Sequence, residues 1–389
     1  MIDIFSYFIY ISLLLTLVFF LMLKIRISKS SLSIKIHAFN SNDIDSFLQP
    51  NRLKINHFFA LILISFIVGF RYHVGNDWQG YKETFEIIKL NKSFSFQDQY
   101  MEWGFFMINF IIARLGGHYT LMFFVIALIS WYFIFKSVPA TLLPLVLYFL
   151  FTNEFFFWSM NGIRQFVAIG IFLYSIKYII KRNLIVFILL IIFASLFHIS
   201  ILFVAPLYFI PFQKLYNQTF WVITFLVSFI FANVPLLISV IRNTFMFFAD
   251  KIPILSIYLR YFDNGQYEAQ NLVVGLGYLF RQIVTIIILL FSKSVINKYP
   301  QTKIYFVLYF LGSIIFNMFY MFQLIDRFNI YFLILHSIVV SIIVSHLWKN
   351  KRYKIVSIGL VTLYFILYLS TIYNSSNMCS PYRFDFMRF

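Results

Sequence analysis

The sequence contains few charged residues and almost no cysteine. Only 12% of its 389 residues are Asp, Glu, Lys or Arg, whereas a soluble domain has about 25%. Cys379 is the single cysteine, so neither an intramolecular disulfide nor a cysteine-based metal site can form. The Gly-rich phosphate loop and the HExxH and GxSxG patterns are also absent. The sequence therefore gives no support for a P-loop nucleotide hydrolase, an HExxH zinc protease or a serine hydrolase of the GxSxG type.

Acidic residues are the scarcest charged class. The chain has 14 Asp and Glu against 31 Lys and Arg, which gives a net charge of +17. The acids are too scattered to indicate a carboxylate-bound metal, and we predict neither a metal nor a cofactor. A basic excess indicates nucleic acid in a soluble protein, but in a membrane protein Lys and Arg collect in cytoplasmic loops. We therefore expect membrane lipid, and no nucleic acid, as a partner.

Apolar residues dominate the chain and make up 61% of it. A membrane-spanning helix needs about 20 apolar residues, because it rises ~1.5 Å per residue across ~30 Å of hydrocarbon. The sequence therefore predicts an all-α polytopic membrane protein with about 12 transmembrane helices. The predicted spans are residues 4–23, 55–70, 118–135, 142–158, 165–180, 184–197, 199–212, 219–241, 276–292, 303–322, 328–348 and 354–373.

The distribution of Lys and Arg orients these spans, since basic clusters favour the cytoplasmic side. With the N-terminus outside, every basic cluster falls in the cytoplasm. We predict a single transmembrane domain over residues 1–389, with a cytoplasmic loop at 24–54 and outer, periplasmic segments at 71–117 and 242–275. Almost all of the net positive charge then lies in cytoplasmic segments, where it orients the protein in the membrane.

Two regions do not fit this threading easily. The stretch 104–115 is too short to span, and we interpret it as a re-entrant or interfacial piece on the outer side. If it did span, 142–158 would have to be re-entrant instead. We interpret the short pair 184–197 and 199–212 as a hairpin with His198 at its outer tip.

Four arginines lie at predicted outer ends of spans, against the preference for the cytoplasm. Arg164 is the most unusual, because it opens a helix, where the helix dipole disfavours positive charge. Either an anionic ligand or a salt bridge to Glu154 would explain it. Arg71 is either a ligand or an arginine that extends to the interface. Arg281 and Arg327 complete the set, and simple ion pairs with nearby acids are their alternative.

Two residues at similar depth could act as a general base, and others could hold a substrate. Asp77 is equally well placed to cap the helix predicted to start at Trp78. His198 has the alternative of a satisfied structural histidine. Trp78 and Tyr81 offer flat faces for sugar rings, although an interfacial aromatic belt would use the same residue types. Glu102 lies at the same predicted depth.

Five short motifs lie between residues 71 and 331: RYxVGxDWxxY at 71–81, EWGF at 102–105, NGIRQ at 161–165, FHIS at 197–200 and, more weakly, RFNIY at 327–331. Together they resemble the EpsG-like group of Wzy-type polysaccharide polymerases. The resemblance implies a GT-C-like bundle with periplasmic loops in the bacterial inner membrane. It also implies a metal-independent glycosyltransferase, an O-antigen or exopolysaccharide polymerase acting on the periplasmic face. Such an enzyme transfers a growing glycan from polyprenyl pyrophosphate to the non-reducing end of a new lipid-linked repeat unit.

The resemblance implies partners and site residues as well. The partners would be the lipid-linked oligosaccharide donor and acceptor, together with a chain-length regulator. Arginines suit the pyrophosphate because a guanidinium binds phosphate oxygens bidentately and stays charged. We slightly prefer His198 to Asp77 as the base, because Asp77 has the capping alternative. The predicted catalytic residues are His198, Asp77 and Arg164, and the predicted substrate-binding residues are Arg71, Arg327, Arg281, Tyr81, Glu102 and Trp78.

Two other functions stay open. A flippase for the same lipid-linked oligosaccharide would need a charged path through the bundle, whereas the predicted mid-span regions contain almost no charge. A membrane acyltransferase that modifies sugars could use His198 as its base, but the arginines would then lack a pyrophosphate to bind.

Overall fold

The structure is a computed structural model. It describes residues 3–28, 31–36, 53–91, 101–231, 275–319 and 323–387, together with residues 240, 243–244, 246–247 and 251. The chain forms two compact units, the first built from Met1–Ile210 and Val340–Phe389 and the second from Pro211–Val339. Most of the predicted segments 24–54 and 242–275 lies outside the described residues.

The described part of the first unit is almost entirely helical. The exception is a short antiparallel pair of strands, β1 (Leu23–Ser28) and β2 (Ser31–Ile36). The helices before residue 211 are α1 (Ile4–Met22), α2 (Ile55–Gly69), α3 (Trp78–Leu90), α4 (Trp103–Arg114), α5 (Tyr119–Ser137), α6 (Leu143–Thr152), α7 (Phe155–Trp158), α8 (Ile163–Ile180), α9 (Leu184–Ser195) and the 3₁₀ helix Ile199–Phe209.

The second unit continues the helical pattern. Its elements are α10 (Phe212–Leu215), α11 (Gln218–Phe231), α12 (Leu276–Lys298), the 3₁₀ turn Pro300–Thr302, α13 (Lys303–Met318) and α14 (Gln323–Leu333). Helix α15 (Leu335–Trp348) runs from the second unit back into the first, which ends with α16 (Lys354–Tyr373) and the 3₁₀ turns Ser376–Met378 and Asp385–Met387.

Six helices in the described part of the chain are long and apolar enough to cross a membrane. These candidate spans are Ile4–Met22, Tyr119–Ser137, Ile163–Ile180, Leu276–Lys298, Ile325–Trp348 and Lys354–Tyr373. Further apolar helices are only 10–17 residues long, among them Ile55–Gly69 and Leu184–Ser195. The polytopic helical membrane protein is thus confirmed, whereas the count of twelve spans and the GT-C-like bundle stay predictions.

Helix α8 forms the centre of the first unit. It packs against α5, which in turn packs against α2, and residues such as Phe166 and Ile169 are at most 1% exposed. A helix that is apolar on nearly every side is buried in a protein core or in a membrane. Peripheral α1 instead exposes Leu15 at 60% and Phe8 at 66%. An apolar surface of this kind requires lipid rather than water.

Two predicted spans are interrupted. The span expected at 142–158 ends as α6 at Thr152, and Glu154 then adopts a left-handed conformation with φ +65°. The second half of the expected hairpin, 199–212, is a 3₁₀ helix rather than an α-helix. Pro206 lies inside it, and proline lacks the N–H that a regular α-helical hydrogen bond needs.

The chain nevertheless reverses at His198 as predicted. Helix α9 and the 3₁₀ helix pack side by side. At the far end of the pair, Arg182 Nη1 donates to the carbonyl of Tyr208 at 2.8 Å. Residues 184–209 therefore form a helical hairpin with His198 at the turn.

The segment after α16 folds back onto the first unit. Residues 374–387, which we call the C-terminal tail, contact α1, the end of α2 and the loop after α2. The Tyr382 hydroxyl donates to the Ile67 carbonyl at 2.8 Å, and the Tyr10 hydroxyl donates to the Cys379 carbonyl at 2.6 Å. Tyr382 is 1% exposed and Cys379 is fully buried. The tail is thus part of the packed unit.

We predict that Tyr382→Ala destabilises the protein, because it removes a buried ring and the hydrogen bond to Ile67. Truncation of a buried aromatic side chain costs roughly 3–5 kcal/mol of unfolding free energy. The thermal unfolding midpoint of the purified full-length protein measures the effect. Tyr373→Ala is the matched control, since Tyr373 is 65% exposed. Equal midpoints for the two variants would contradict the packing of the tail.

Candidate functional site

Four of the five sequence motifs come together at one end of the first unit. They are contributed by the loop from α2 to α3, the start of α4, the start of α8 and the turn of the α9 hairpin. The direct contacts between them define the candidate site, which consists of residues 71–81, 102–105, 160–165 and 196–200. We call the end of the first unit that carries it the site end.

An ion pair links three of these motifs. Arg164 Nη1 donates to Glu102 Oε2 at 2.6 Å, and the two side chains are 30% and 17% exposed. The other carboxylate oxygen, Glu102 Oε1, accepts from the backbone N–H of Ile199 at 3.4 Å. The partner of Arg164 is therefore Glu102. Glu154 instead accepts from the hydroxyl of Thr371 at 3.2 Å.

Aromatic rings surround the rest of the Arg164 guanidinium. Its central carbon lies 5.7 Å from the Phe105 ring centroid and 6.0 Å from that of Tyr81. The Tyr81 hydroxyl is close enough to interact electrostatically with Arg164. Burial raises the pKa of this hydroxyl, so Tyr81 is neutral at physiological pH. The Arg164 Nε is buried and has no hydrogen-bond partner among the described residues.

Gly104 allows α4 to approach the hairpin turn. Its N–H donates to the Leu196 carbonyl at 2.7 Å, and a Cβ at this position would lie 2.9 Å from the same oxygen. Any larger residue would push the start of α4 away from the turn. This close approach holds the EWGF motif against the FHIS motif and brings Glu102 to Ile199.

Arg71 is the most deeply buried arginine of the site. It is 0% exposed, and its guanidinium donates to the carbonyls of Val74 at 3.0 Å, Met160 at 2.8 Å and Val68. The guanidinium carbon also lies 4.3 Å from the centroid of the Phe123 ring. Burial lowers its pKa to about 10, so it stays charged at neutral pH. Arg71 joins the loop after α2 to the loop before α8.

Gly75 and Asn161 form a second connection between the same two loops. The Asn161 side-chain oxygen accepts from the backbone N–H of Asn76. Gly75 has φ +99° and lies so close that a Cβ would be 2.9 Å from the Met160 carbonyl oxygen. Residues other than glycine adopt this conformation only with strain. The glycine of the first motif is thus needed for the contact with the third motif.

The two candidate bases have different environments. Asp77 is exposed and occupies the position before α3, but its side chain makes no capping hydrogen bond. The capping alternative therefore has no support in the structure. His198 is half-buried at the hairpin turn, and its Nδ1 lies 2.6 Å from the hydroxyl oxygen of Ser200. That contact orients the ring.

Trp78 is a packing residue in this arrangement. Its ring is 1% exposed and lies against Tyr72, His73 and Tyr119. Its indole N–H donates to the carbonyl of Arg71 at 3.2 Å. The geometry favours a role in holding the loop, and sugar binding by Trp78 stays an untested prediction.

The remaining predicted ligands belong to the second unit. The Arg281 guanidinium carbon lies 4.4 Å from the centroid of the Phe316 ring and is close to the carboxylate of Asp326. Arg327 is exposed on α14. The fifth motif, RFNIY, therefore lies in this unit, and substrate binding by Arg281 and Arg327 stays a prediction.

Sequence reasoning missed the C-terminal tail as a component of the site end. The backbone of Arg71 pairs with that of Phe384 as an isolated antiparallel bridge. The N–H of Tyr72 donates to the Arg383 carbonyl at 2.8 Å. A weak signal was present, since Tyr382 and Phe384 alternate with an exposed Arg383, a period typical of a strand.

A second contact of the tail reaches Gly75 and Asn161. The N–H of Gly75 donates to the carbonyl of Met378 at 3.0 Å. The Asn161 side-chain nitrogen donates to the Asn377 carbonyl at 3.3 Å. The tail thus supports both loops that carry the first and third motifs.

Comparison with known proteins gave one match. A family model described as "EpsG family" matches residues 54–384. The match includes all five motifs and ends at the residue that pairs with Arg71. No curated protein and no solved structure matches the chain significantly.

We predict that Glu102→Gln destabilises the protein more than Glu154→Gln. Glu102→Gln removes the carboxylate from a largely buried arginine, which costs about 1–2 kcal/mol of unfolding free energy after allowance for partial exposure. Glu154 is exposed and bonded only to uncharged groups. Thermal unfolding midpoints of the two purified variants decide the matter. A lower midpoint for Glu154→Gln would show that the ion pair is wrongly assigned.

Proposed function

The chain belongs to the EpsG family, and from this premise we propose that it is a polysaccharide polymerase that uses lipid-linked glycans. In the proposed reaction a growing glycan is transferred from polyprenyl pyrophosphate to the non-reducing end of a new lipid-linked repeat unit. The acceptor hydroxyl attacks the anomeric carbon of the donor, the bond from that carbon to the pyrophosphate breaks, and the hydroxyl proton passes to a base. The observation that carries the proposal is the convergence of four motifs around Arg164.

Arg164 is the proposed ligand of the departing pyrophosphate. Charge on the pyrophosphate increases as the glycosidic bond breaks, and a preorganised cation in a site poor in water stabilises that charge strongly. Glu102 occupies only one terminal nitrogen of the guanidinium. The Tyr81 hydroxyl lies within hydrogen-bond reach of the guanidinium, and the remaining N–H groups, including an Nε–H with no partner among the described residues, can donate to phosphate oxygens. Glu102 is then a positioning residue that holds the guanidinium at the start of α8.

Arg71 has a different proposed role. Its guanidinium already donates to three carbonyls, so few of its N–H groups are left for a ligand. We propose that it fixes the position of the loop that carries Asp77 relative to the loop that precedes Arg164. Direct pyrophosphate binding by Arg71 is the alternative, and it would require these backbone contacts to break.

The base is Asp77 or His198. A base must come within hydrogen-bond reach of the proton that it removes. The exposed Asp77 carboxylate is not engaged in capping α3, which removes the reason to rank it below His198. Both side chains lie near the ion pair of Arg164 and Glu102. Asp77 is close to Tyr81, which interacts with Arg164. His198 precedes Ile199, whose backbone N–H donates to Glu102.

The proposed orientation places the site end on the outer face of a bacterial inner membrane. At the opposite ends of α5 and α8, Lys177 lies near Lys136 and Lys181. Basic residues at helix ends favour the cytoplasmic side. The lysines therefore lie at the end of α5 and α8 opposite to the site end. This supports a site that faces the periplasm or cell exterior, where lipid-linked repeat units are polymerised in the proposed reaction.

We predict that Arg164→Lys lowers polymer formation roughly 100-fold or more, because lysine cannot make the bidentate contact that stabilises the leaving group. Polymer length is measured by gel electrophoresis of surface glycan, with protein abundance checked by immunoblot. Arg182→Lys is the control, since Arg182 bonds only to backbone at the basic end of the hairpin. Long polymer from Arg164→Lys at normal abundance would exclude Arg164 from the mechanism.

Deletion of the gene distinguishes a polymerase from a flippase. A strain without the polymerase should display single repeat units on its surface, whereas a strain without the flippase should display no glycan. Unchanged polymer length after deletion would contradict the proposed function.

We predict that one of Asp77→Asn and His198→Gln abolishes turnover while the other is tolerated. A general base contributes roughly 10²–10⁴-fold to the rate. The rate of polymer formation by purified protein in lipid vesicles, supplied with lipid-linked repeat units, measures this directly. Near-normal rates for both variants would mean that neither side chain is the base.

A further inference from the structure

A polar cavity lies in the second unit, on the side of the bundle where α12 ends and α11 and α13 begin. Its volume is about 470 Å³. The cavity is lined mainly by side chains that donate hydrogen bonds, namely those of Tyr216, Asn217, Gln218, Thr219, Lys293 and Lys303. None of the described residues that line it is acidic. In the described part of the second unit, Asp326 is the single acidic residue, and it lies near Arg281 at the other end of α12.

The walls of this cavity are held by specific contacts. The Tyr216 hydroxyl lies 2.7 Å from the hydroxyl oxygen of Ser292. The Gln218 amide donates to the Leu289 carbonyl at 2.7 Å, and Lys303 Nζ donates to the Gln213 carbonyl at 2.9 Å. An ammonium group has three N–H donors, so Lys303 keeps two for a ligand. Two lysines and several neutral donors on a fixed frame are suited to an anion.

Exposed apolar residues extend away from the cavity along the same helices. On α11 they are Phe220, Ile223 and Val227, which are 53%, 56% and 40% exposed. On α12 they are Leu290, Ile286 and Ile283, which are 63%, 39% and 57% exposed. Both sets have the spacing of one helix face. A ligand that fits the cavity and these faces together has an anionic head and apolar chains.

We propose that this cavity binds the phosphate headgroup of an anionic membrane phospholipid, with the acyl chains lying along α11 and α12. Basic pockets between transmembrane helices on the cytoplasmic side bind such headgroups, and Lys293 and Lys303 belong to the basic clusters that the sequence assigns to the cytoplasm. The cavity shares no residue with the candidate functional site, and the proposal does not depend on the proposed polymerase activity.

Lipid binding by the purified full-length protein tests this proposal. Phosphatidylglycerol, phosphatidylcholine and inorganic phosphate are titrated separately, and retained ligand is measured by native mass spectrometry. We expect the wild type to prefer phosphatidylglycerol. The double variant Lys293→Gln/Lys303→Gln should bind it roughly 30-fold more weakly, the factor expected for two lysines at an anionic lipid surface. Lys298→Gln, which removes one positive charge from α12 outside the cavity, should bind as the wild type does.

Three results would overturn the proposal. The first is equal phosphatidylglycerol binding by the double variant and the wild type. The second is equal binding of phosphatidylglycerol and phosphatidylcholine by the wild type. The third is displacement of phosphatidylglycerol by an equal concentration of inorganic phosphate, which would identify the cavity as a site for a soluble anion. The second and third need only the wild type, so they decide the matter even if the double variant cannot be purified.

Discussion

The ion pair between Arg164 and Glu102 is the interaction on which the candidate site depends. An arginine at the first turn of a helix is opposed by the helix dipole, and a cation in a medium of low dielectric constant needs a close counter-charge. Glu102 provides that charge from a different helix. Because its second oxygen binds the backbone beside His198, one carboxylate fixes the relative positions of α4, α8 and the hairpin turn. The rings of Tyr81 and Phe105 then shield part of the guanidinium from water.

Two close main-chain contacts, each at a glycine, complete this arrangement. Gly104 brings the start of α4 to the hairpin turn, and Gly75 brings the loop after α2 to the loop before α8. Arg71 reinforces the second approach by binding carbonyls on both loops. The charged groups are therefore held by main-chain contacts rather than by flexible side chains alone. Such preorganisation is what stabilisation of a leaving group requires, since the site need not rearrange as charge develops.

The sequence alone predicted the class of protein and several particular features. Apolar runs indicated a helical membrane protein, and the position of His198 between two short runs indicated the hairpin. The placement of Arg164 against two electrostatic preferences indicated an anionic partner, but the nearer acid in sequence, Glu154, was the wrong candidate. Composition and spacing show that a charge needs a partner, whereas the identity of the partner depends on the tertiary packing of α4 against α8. For the same reason, a bridge between residues 71 and 384 has no local signal strong enough to predict it.

The C-terminal tail also bears on how the protein is made. Residues 374–387 leave the ribosome after helices α1 to α16, yet their backbone pairs with Arg71 and supports Gly75 and Asn161. A nascent chain that has already inserted α1 to α15 consequently lacks a partner for the loop that carries the first motif. The site end is therefore complete only once α16 and the C-terminal tail have been synthesised.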